Sequence, residues 1–527
     1  MLIWRLRTIV TERGLMVDYS SEFNYKIIND PIYGCIGLSQ TEVRLLDTRA
    51  MQRLRRIRQM GFSSYVFPSG EHSRFVHSLG VLCIIGKMCE HLYRKYGKTS
   101  KRRNDVGYVF SLDSIRLLRA AALLHDVGHF PFSHLTENVY GYIENTKSAQ
   151  LMRRDVEDSS KQDAHLLSNI ANHLKQKEKD HEHLGAEVIM RDPEISSILE
   201  KAKLKPEDVG CIITGDVQAH PIYAQMLHSS LDADRLDYLL RDSRQAGVSF
   251  GKIELEYILR QMRIISTLIS GVPTNLIAFD CRAQHAIEHF LMGRYFHYTQ
   301  VVLHKTSMAF EAIAKALIYK VLSTQQETMP YRDYDNIVSD IGSDRFYEFT
   351  DDCFWQLIAS ASKKMDKNCF VKVLWESLAQ RKNPTHVLTI TDIVPKASVS
   401  PVSKPVNDPS FFLTRYFLEN SKDELAKEAN IDSKYIGFVE SKVSLESIPS
   451  HLKTEDCRSD NFLDDVRGAI RIVDKAGKTS FLASDNKSLI NKMVDYTSNS
   501  IDVFVIGDVP QKNIEKLKKV IKSRALL

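Results

Sequence analysis

The stretch from Arg116 to His134, RLLRAAALLHDVGHFPFSH, constrains this chain more than any other. Leu117, Leu118, Ala121, Leu124 and Val127 recur at helical spacing and predict a helix with an inward apolar face. At the end of that face stand His125 and Asp126, with His129 one turn later and His134 just beyond. Gly128 and Pro131 fit a helix that stops and turns there. An imidazole beside a carboxylate is costly to bury unless something uses both. A divalent metal does so, since imidazole and carboxylate together suit zinc, iron, manganese or nickel. The plainer reading is a hydrogen-bonded His–Asp pair at a helix end. Two distant segments favour the metal: SRFVHSLGV upstream, with Arg74 and His77, and LDADRLDYLLRD downstream, with Asp232, Asp234 and Asp237.

With 527 residues the chain is long enough for two or more cores. A net charge of +5 is well short of a nucleic-acid-binding composition. Eight cysteines without a CxxC pair argue against a zinc ribbon or a disulfide framework and fit a reducing cytoplasm. The first sixteen residues are broken by Arg5, Arg7, Glu12 and Arg13 and do not read as a signal peptide; Met16 is an alternative start. No stretch is expected to span or bind a membrane.

Taken in order, residues 22 to 40 read as a strand and hairpin, with a turn at Asp30-Pro31. LDTRAMQRLRRIRQMG then reads as one basic helix, carrying Arg53, Arg55, Arg56 and Arg58 beside apolar Leu54, Ile57 and Met60. A partly buried arginine helix suits phosphate binding. Residues 141 to 180 read as a polar insertion, with His165 and His173 on its surface. A helix restarts with His181, Glu182 and His183 at its mouth. On the next helical run Asp234, Tyr238 and Arg241 share a face, with Asp242 one residue further round. Residues 283 to 322 read as one long helix with Gly293 as its weak point.

The expected fold is mainly α: an N-terminal segment and hairpin over 1–40, a helical core over 41–325 and a helical extension over 326–390. A proline-rich linker over 391–410 and a smaller α/β region over 411–527 complete it. In that last region Lys475, Ala476 and Gly477 turn a hairpin, and a helix then a strand follow.

The first 310 or so residues resemble the HD-domain deoxynucleoside triphosphate triphosphohydrolases, the family of the vertebrate SAM- and HD-domain enzyme and its bacterial relatives. The resemblance rests on KIINDPIYG, LDTRAMQRLRRIRQMG, YVFPSGEHSRFVHSLGV, LLHDVGHFPFSH and LDADRLDYLLRDSRQAGV, in that order. No SAM domain is expected. The resemblance implies metal ligands at His77, His125, Asp126 and Asp234. It implies catalytic residues at His129, His134, Glu137 and His181, with His183 as a competitor for the last. Arg74, Arg235, Arg294 and Lys305 would hold phosphates. Gln59 and Asp242 would read the sugar 3′-hydroxyl, and Tyr238 would pack on the sugar. The chain departs from the family at Val302, where a tyrosine commonly crowds the 2′ position. A guanine nucleotide activator would be read by Lys26, Ile27, Asn29, Asp47, Gln52 and Arg55, in a homo-oligomer.

The implied reaction releases nucleoside and intact triphosphate, with manganese, iron, zinc, nickel or magnesium as the metal. The residue pattern by itself supports metal-assisted phosphoester hydrolysis. Two alternatives stand beside it: another HD nucleotide phosphohydrolase or phosphodiesterase, and a nucleic-acid-binding or assembly protein with a structural metal.

Overall fold

The computed structural model describes residues 22–97, 110–152, 159–172, 180–216, 220–269, 272–324, 331, 333–363, 369–395, 409–444, 468–494 and 496–524. It is mainly α. The helix Leu112–Leu124 starts at Ser111, whose side chain accepts from the Ser114 N–H, and ends with His125 as its C-cap. Leu118 and the run Ala120 to Leu124 are buried along it. The helices Arg74–Tyr96 and Pro206–Ile213 pack on it, and Ala233–Ala246 packs on the former. Gly80 allows that last approach, because a Cβ there would stand 1.9 Å from Asp237 Oδ1. Three helices thus converge on the end of one apolar rod.

The helix Arg74–Tyr96 is long and apolar enough by composition to cross a membrane, contrary to the expectation that no stretch would be. Most of its apolar window is buried inside the fold, and His77 on it is fully buried.

The basic segment is not one helix. Gln40–Leu46 ends at Asp47, and Thr48 starts Arg49–Arg53 by accepting from the Met51 N–H; a 3-10 turn, Leu54–Arg56, follows. The Thr48 hydroxyl offers the backbone a cap in place of a continuous helix. Arg53 is buried and donates to the carbonyl oxygens of Phe349, Val127 and His129. The supposed polar insertion also carries structure. Leu166, Leu167 and Ile170 of the helix Ser159–Ala171 are buried, and His165 stands 3.5 Å from Asp423. His173 lies outside the described residues.

The long helix expected over 283–322 breaks elsewhere than at Gly293. Gln284–His297 runs into a π turn, Tyr298–Val302, and Lys305–Thr324 starts afresh. Gly293 lies inside the first helix, where a Cβ would meet the Phe250 carbonyl oxygen at 2.5 Å.

The hairpin of β1 (Lys26–Asp30) and β2 (Gly34–Leu38) forms as expected, in antiparallel register with Lys26 opposite Leu38. A second hairpin, β3 (Met262–Ile269) and β4 (Val272–Asp280), interrupts the helices. β5 (Thr385–Pro395) takes the end of the expected helical extension and the start of the expected linker; residues 396–408 lie outside the described ones. β6 (Ile436–Val443) and β5 flank β9 (Tyr496–Val505), both antiparallel to it. Between them in sequence, β7 (Arg471–Val473) lies parallel to β4 and turns through Gly477 (φ +86°) into β8 (Thr479–Phe481). The tail is therefore woven into the helical part rather than set beside it.

Candidate metal centre and active site

His77, His125 and Asp234 each bring one donor atom to a common point, all within 4.8 Å of one another. His125 Nδ1 lies 2.9 Å from the Ala122 carbonyl oxygen, so it carries the proton and leaves Nε2 as a free donor atom. That Nε2 is buried and has no hydrogen-bond partner among the described residues. His77 Nδ1 lies 2.7 Å from Asp237 Oδ2, and its Nε2 faces Asp234 at 2.9 Å and Asp126 at 3.9 Å. Burial pulls the His77 imidazole down, but the hydrogen bonds of Asp234 and Asp237 outweigh it and carry it up to about 10. Three carboxylates around one buried imidazole demand positive charge. Two imidazole nitrogens and the Asp234 carboxylate, with Asp126 3.9 Å from His77 Nε2, are a donor set that can hold a divalent metal.

Asp126 joins this group to a second one. Its Oδ1 stands 3.3 Å from His125 Nε2 and 3.2 Å from His129 Nε2, while Oδ2 accepts from Arg74 Nη1 at 2.9 Å. Burial works against its ionisation, but His125, Arg74 and His129 hold it well below the usual carboxylate range. His129 stacks on His181 with ring centroids 3.9 Å apart. Burial, then the charges of Arg74 and His181, keep His129 neutral at ordinary pH. Glu137 Oε2 is 3.0 Å from His134 Nδ1 and 3.5 Å from His181 Nδ1. Although buried, Glu137 is held ionised by those two imidazoles. His183 instead pairs with Asp180 at the start of its helix, so His181 is the residue that enters the cluster.

The turn between the groups is built for close approach. A Cβ on Gly128 would stand 2.2 Å from Gly185 N and 2.3 Å from the His181 carbonyl oxygen. Phe132 and Ser133 both adopt left-handed backbone, φ 55° and 58°. Such strain persists only where surroundings over-determine it. Asp351 provides this by accepting from the Phe132 N–H at 2.6 Å and the Arg58 N–H at 3.0 Å. Ser133 Oγ accepts from Arg74 Nε and donates to the Arg58 carbonyl oxygen.

The residues expected to hold phosphate are not all brought together. Arg74 is buried and committed to Asp126 and Ser133. Arg235 Nε turns back to the Ser229 carbonyl oxygen and Asp232. Arg294 lies over the Tyr298 ring at 5.9 Å. Lys305 is placed elsewhere. It follows the break at 303–304 and lines a cleft of 500 Å³ against β5, β6 and β9, with His304, Thr389, Ser500 and Asp502. On the sugar side, His72 Nε2 meets Asp242 Oδ1 at 2.8 Å, and Gln59 donates its N–H to the His72 carbonyl oxygen. Tyr238 lies beside Tyr298 and His297.

Among the expected activator residues, Lys26, Ile27, Asn29, Asp47 and Arg55 are exposed. Arg55 already has partners: Gln52 Oε1 accepts from its Nε at 2.7 Å, and its guanidinium lies over the Phe75 ring. The sequence reading counted Asp237 among the carboxylates of the downstream segment but gave it no role, and it did not single out Tyr33 or Asp351. Asp237 orients His77, accepts from Tyr33 Oη at 2.6 Å and pairs with buried Arg241, which reaches Asp30. A signal existed in the helical i, i+4 spacing of Asp237 and Arg241.

Three buried helices meeting at a His–Asp metal site define a class. Residues 74–241 match the family described as HD domain. Over 304 residues it is 30% identical to the uncharacterized YwfO of Bacillus subtilis, 57% of each chain. Over 312 residues it is 30% identical to an uncharacterized protein of Methanocaldococcus jannaschii, covering 59% of this chain and 53% of that one. It is 29% identical over 245 residues to human deoxynucleoside triphosphate triphosphohydrolase SAMHD1, 42% of this chain and 34% of that one. The chain spans little more than half the length of the first two relatives. Two solved structures share the fold. A phosphohydrolase of Bacteroides thetaiotaomicron gives a TM-score of 0.58 at 20% identity, covering 91% of this chain and 99% of that one. A hypothetical protein of Aquifex aeolicus gives 0.60 at 22%, covering 93% and 99%.

Proposed function

We propose that the protein hydrolyses deoxynucleoside triphosphates to deoxynucleoside and inorganic triphosphate, in the cytoplasm. The observation that carries this is Asp126, one carboxylate within 3.3 Å of both His125 and His129, which puts a proton-handling cluster against a metal-ligand set. Bound there, a divalent metal supplies Lewis acidity toward a phosphoryl oxygen and toward water. Arg235 and Arg294, whose charges both act on the Tyr238 hydroxyl, would neutralise the triphosphate. Glu137 orients His134 and His181 and stabilises their protonated forms, as a carboxylate does behind a catalytic histidine. His181 then gives its proton to the leaving oxygen. His129 stacks on His181 and so fixes the plane of that ring. The relatives named as deoxynucleoside triphosphate triphosphohydrolases support this choice of substrate. The test is incubation of the full chain with each dNTP and rNTP in Mn²⁺ or Mg²⁺, with products resolved. Inorganic triphosphate with the free nucleoside is expected; pyrophosphate or orthophosphate as first product overturns the reading.

A guanine nucleotide is proposed as activator, bound by Lys26, Ile27, Asn29, Asp47, Gln52 and Arg55 at a surface shared between copies of the chain. Asp47 can accept from the guanine N1 and N2 donors. Ligand that binds only the oligomer drives assembly by mass action. Activity with and without GTP, alongside light scattering, tests it: an Asp47→Ala variant with unchanged rate, response and size removes the activator site.

A further inference from the structure

Tyr238 and Asp242 follow Asp234 at intervals of four residues on one helix, roughly 6 and 12 Å along its axis. The metal-ligand end of this face is charged. Its far end is a cluster of polar side chains around Asp242: half-buried Gln59, His72 and Tyr238, and buried His297. Five of their atoms, Gln59 Oε1, His72 Nδ1, the Tyr238 hydroxyl and both ring nitrogens of His297, have no hydrogen-bond partner among the described residues. Orphaned buried groups are costly, and several in one place point to a ligand that satisfies them. His297 is fully buried at the end of Gln284–His297, where the chain passes into the π turn Tyr298–Val302. Such turns often mark functional sites. Its Nε2 faces Asp242 Oδ2 at 3.7 Å. That is too far for a direct bond, yet one oxygen can lie about 2.8 Å from both. The other Asp242 oxygen is taken by His72.

One hydroxyl donates a single hydrogen bond, so it cannot donate to both Asp242 and Gln59 Oε1, two acceptors of this cluster. Two neighbouring hydroxyls serve more. Resting on the triphosphohydrolase reading above, we propose that this pocket binds a vicinal diol, the 2′,3′-hydroxyls of a ribose, with His297 as the specificity-determining residue. Ribonucleoside triphosphates are then substrates alongside deoxynucleoside triphosphates. One hydroxyl donates to Asp242 and accepts from His297; the second meets the Tyr238 hydroxyl and the Gln59 side-chain carbonyl.

The test compares GTP and dGTP on the wild type, His297→Leu and His297→Gln, following inorganic triphosphate release, with calorimetric binding of both nucleotides in Mn²⁺. The wild type is expected to use GTP within about tenfold of dGTP in kcat/KM. His297→Leu is expected to lower kcat/KM for GTP about tenfold more than for dGTP, and His297→Gln less, since an unpaired buried hydroxyl is what the site would reject. If the leucine variant unfolds, the glutamine variant carries the comparison. A wild-type preference for dGTP above about a hundredfold, or an unchanged GTP/dGTP ratio in the folded variants, overturns the diol pocket. If neither nucleotide is cleaved but GTP binds more tightly and loses that advantage on substitution, the pocket stands and only the hydrolysis reading falls. Equal or absent binding without cleavage overturns both.

Discussion

Gly128→Ala should separate metal binding from turnover. The added Cβ would stand 2.2 Å from Gly185 N, 2.3 Å from the His181 carbonyl oxygen and 2.7 Å from Gly185 Cα. All three are backbone atoms, and none can rotate away. Ordinary contact needs about 3.5 Å, so the helix His181–Arg191 must retreat by about 1 Å. The side chains of His125 and Asp126 are held by the Ala122 carbonyl oxygen and by Arg74, not by this helix, and need not move. A misplacement of about 1 Å between reacting groups costs roughly a hundredfold in rate, and overpacking of this kind costs about 1–3 kcal/mol of stability. The matched control is Gly185→Ala, whose Cβ would find its nearest neighbour at 3.5 Å, an ordinary contact. The assay is metal content by mass spectrometry, triphosphate release and thermal unfolding on both variants. Gly128→Ala should keep stoichiometric metal, lose about a hundredfold in kcat and melt several degrees lower, while Gly185→Ala stays close to wild type. Equal behaviour of the two variants, or full turnover in Gly128→Ala, would refute the idea that this glycine sets the distance from metal group to His181.

His125→Ala and Asp126→Ala should each lose bound metal and hydrolysis together, and stoichiometric metal with full turnover in either would remove the assigned ligand set. Asp237→Asn should weaken metal binding by about ten- to a hundredfold, because it disturbs the group that fixes the His77 tautomer; a metal titration with unchanged Kd would sink this role. Burial raises Asp232 and Asp351 to about 6. A carboxyl with a folded pKa above its unfolded value contributes stability that is complete below about pH 4 and lost as pH rises through about 6, up to about 3 kcal/mol for a two-unit shift. Urea unfolding of metal-free Asp351→Asn at pH 4 and 6.5 should therefore show a smaller fall than wild type; an equal fall would contradict the assignment.

His125 and Asp126 stand out in the sequence at the end of an apolar helix, whereas the choice of His77 and Asp234 beside them came from the resemblance; the fold brings His77, His125 and Asp234 within 4.8 Å of one another. Local pattern also exposed the β7–β8 hairpin, through Gly477. What escaped depended on contacts distant in sequence. Gly293 looks like a helix breaker by propensity, yet it serves the approach of Phe250, and the real break falls at 303–304. That break moves Lys305 to the cleft of β5, β6 and β9, which the spacing of charges could not foretell. The alternation in Thr385–Pro395 was hidden by the prolines that follow. Asp351 looks like any acidic helix start until Phe132 and Arg58 are seen to share it.

The pairing of β4 with β7 has a consequence for how the chain is made. Phe279 faces Ile472 and Asp280 faces Val473, a separation of about 190 residues. At about 5–20 residues per second of synthesis, the open edge of β4 waits roughly ten to forty seconds for its neighbour. An unpaired strand edge is a template for the wrong partner. The helical core can assemble as it emerges, but the hairpin beside it stays adhesive until Arg471–Val473, about nine-tenths of the way along the chain, has been made. Ribosome-bound chains halted near residue 410 should therefore recruit chaperones at β4, and a lysine placed on that edge should relieve the recruitment.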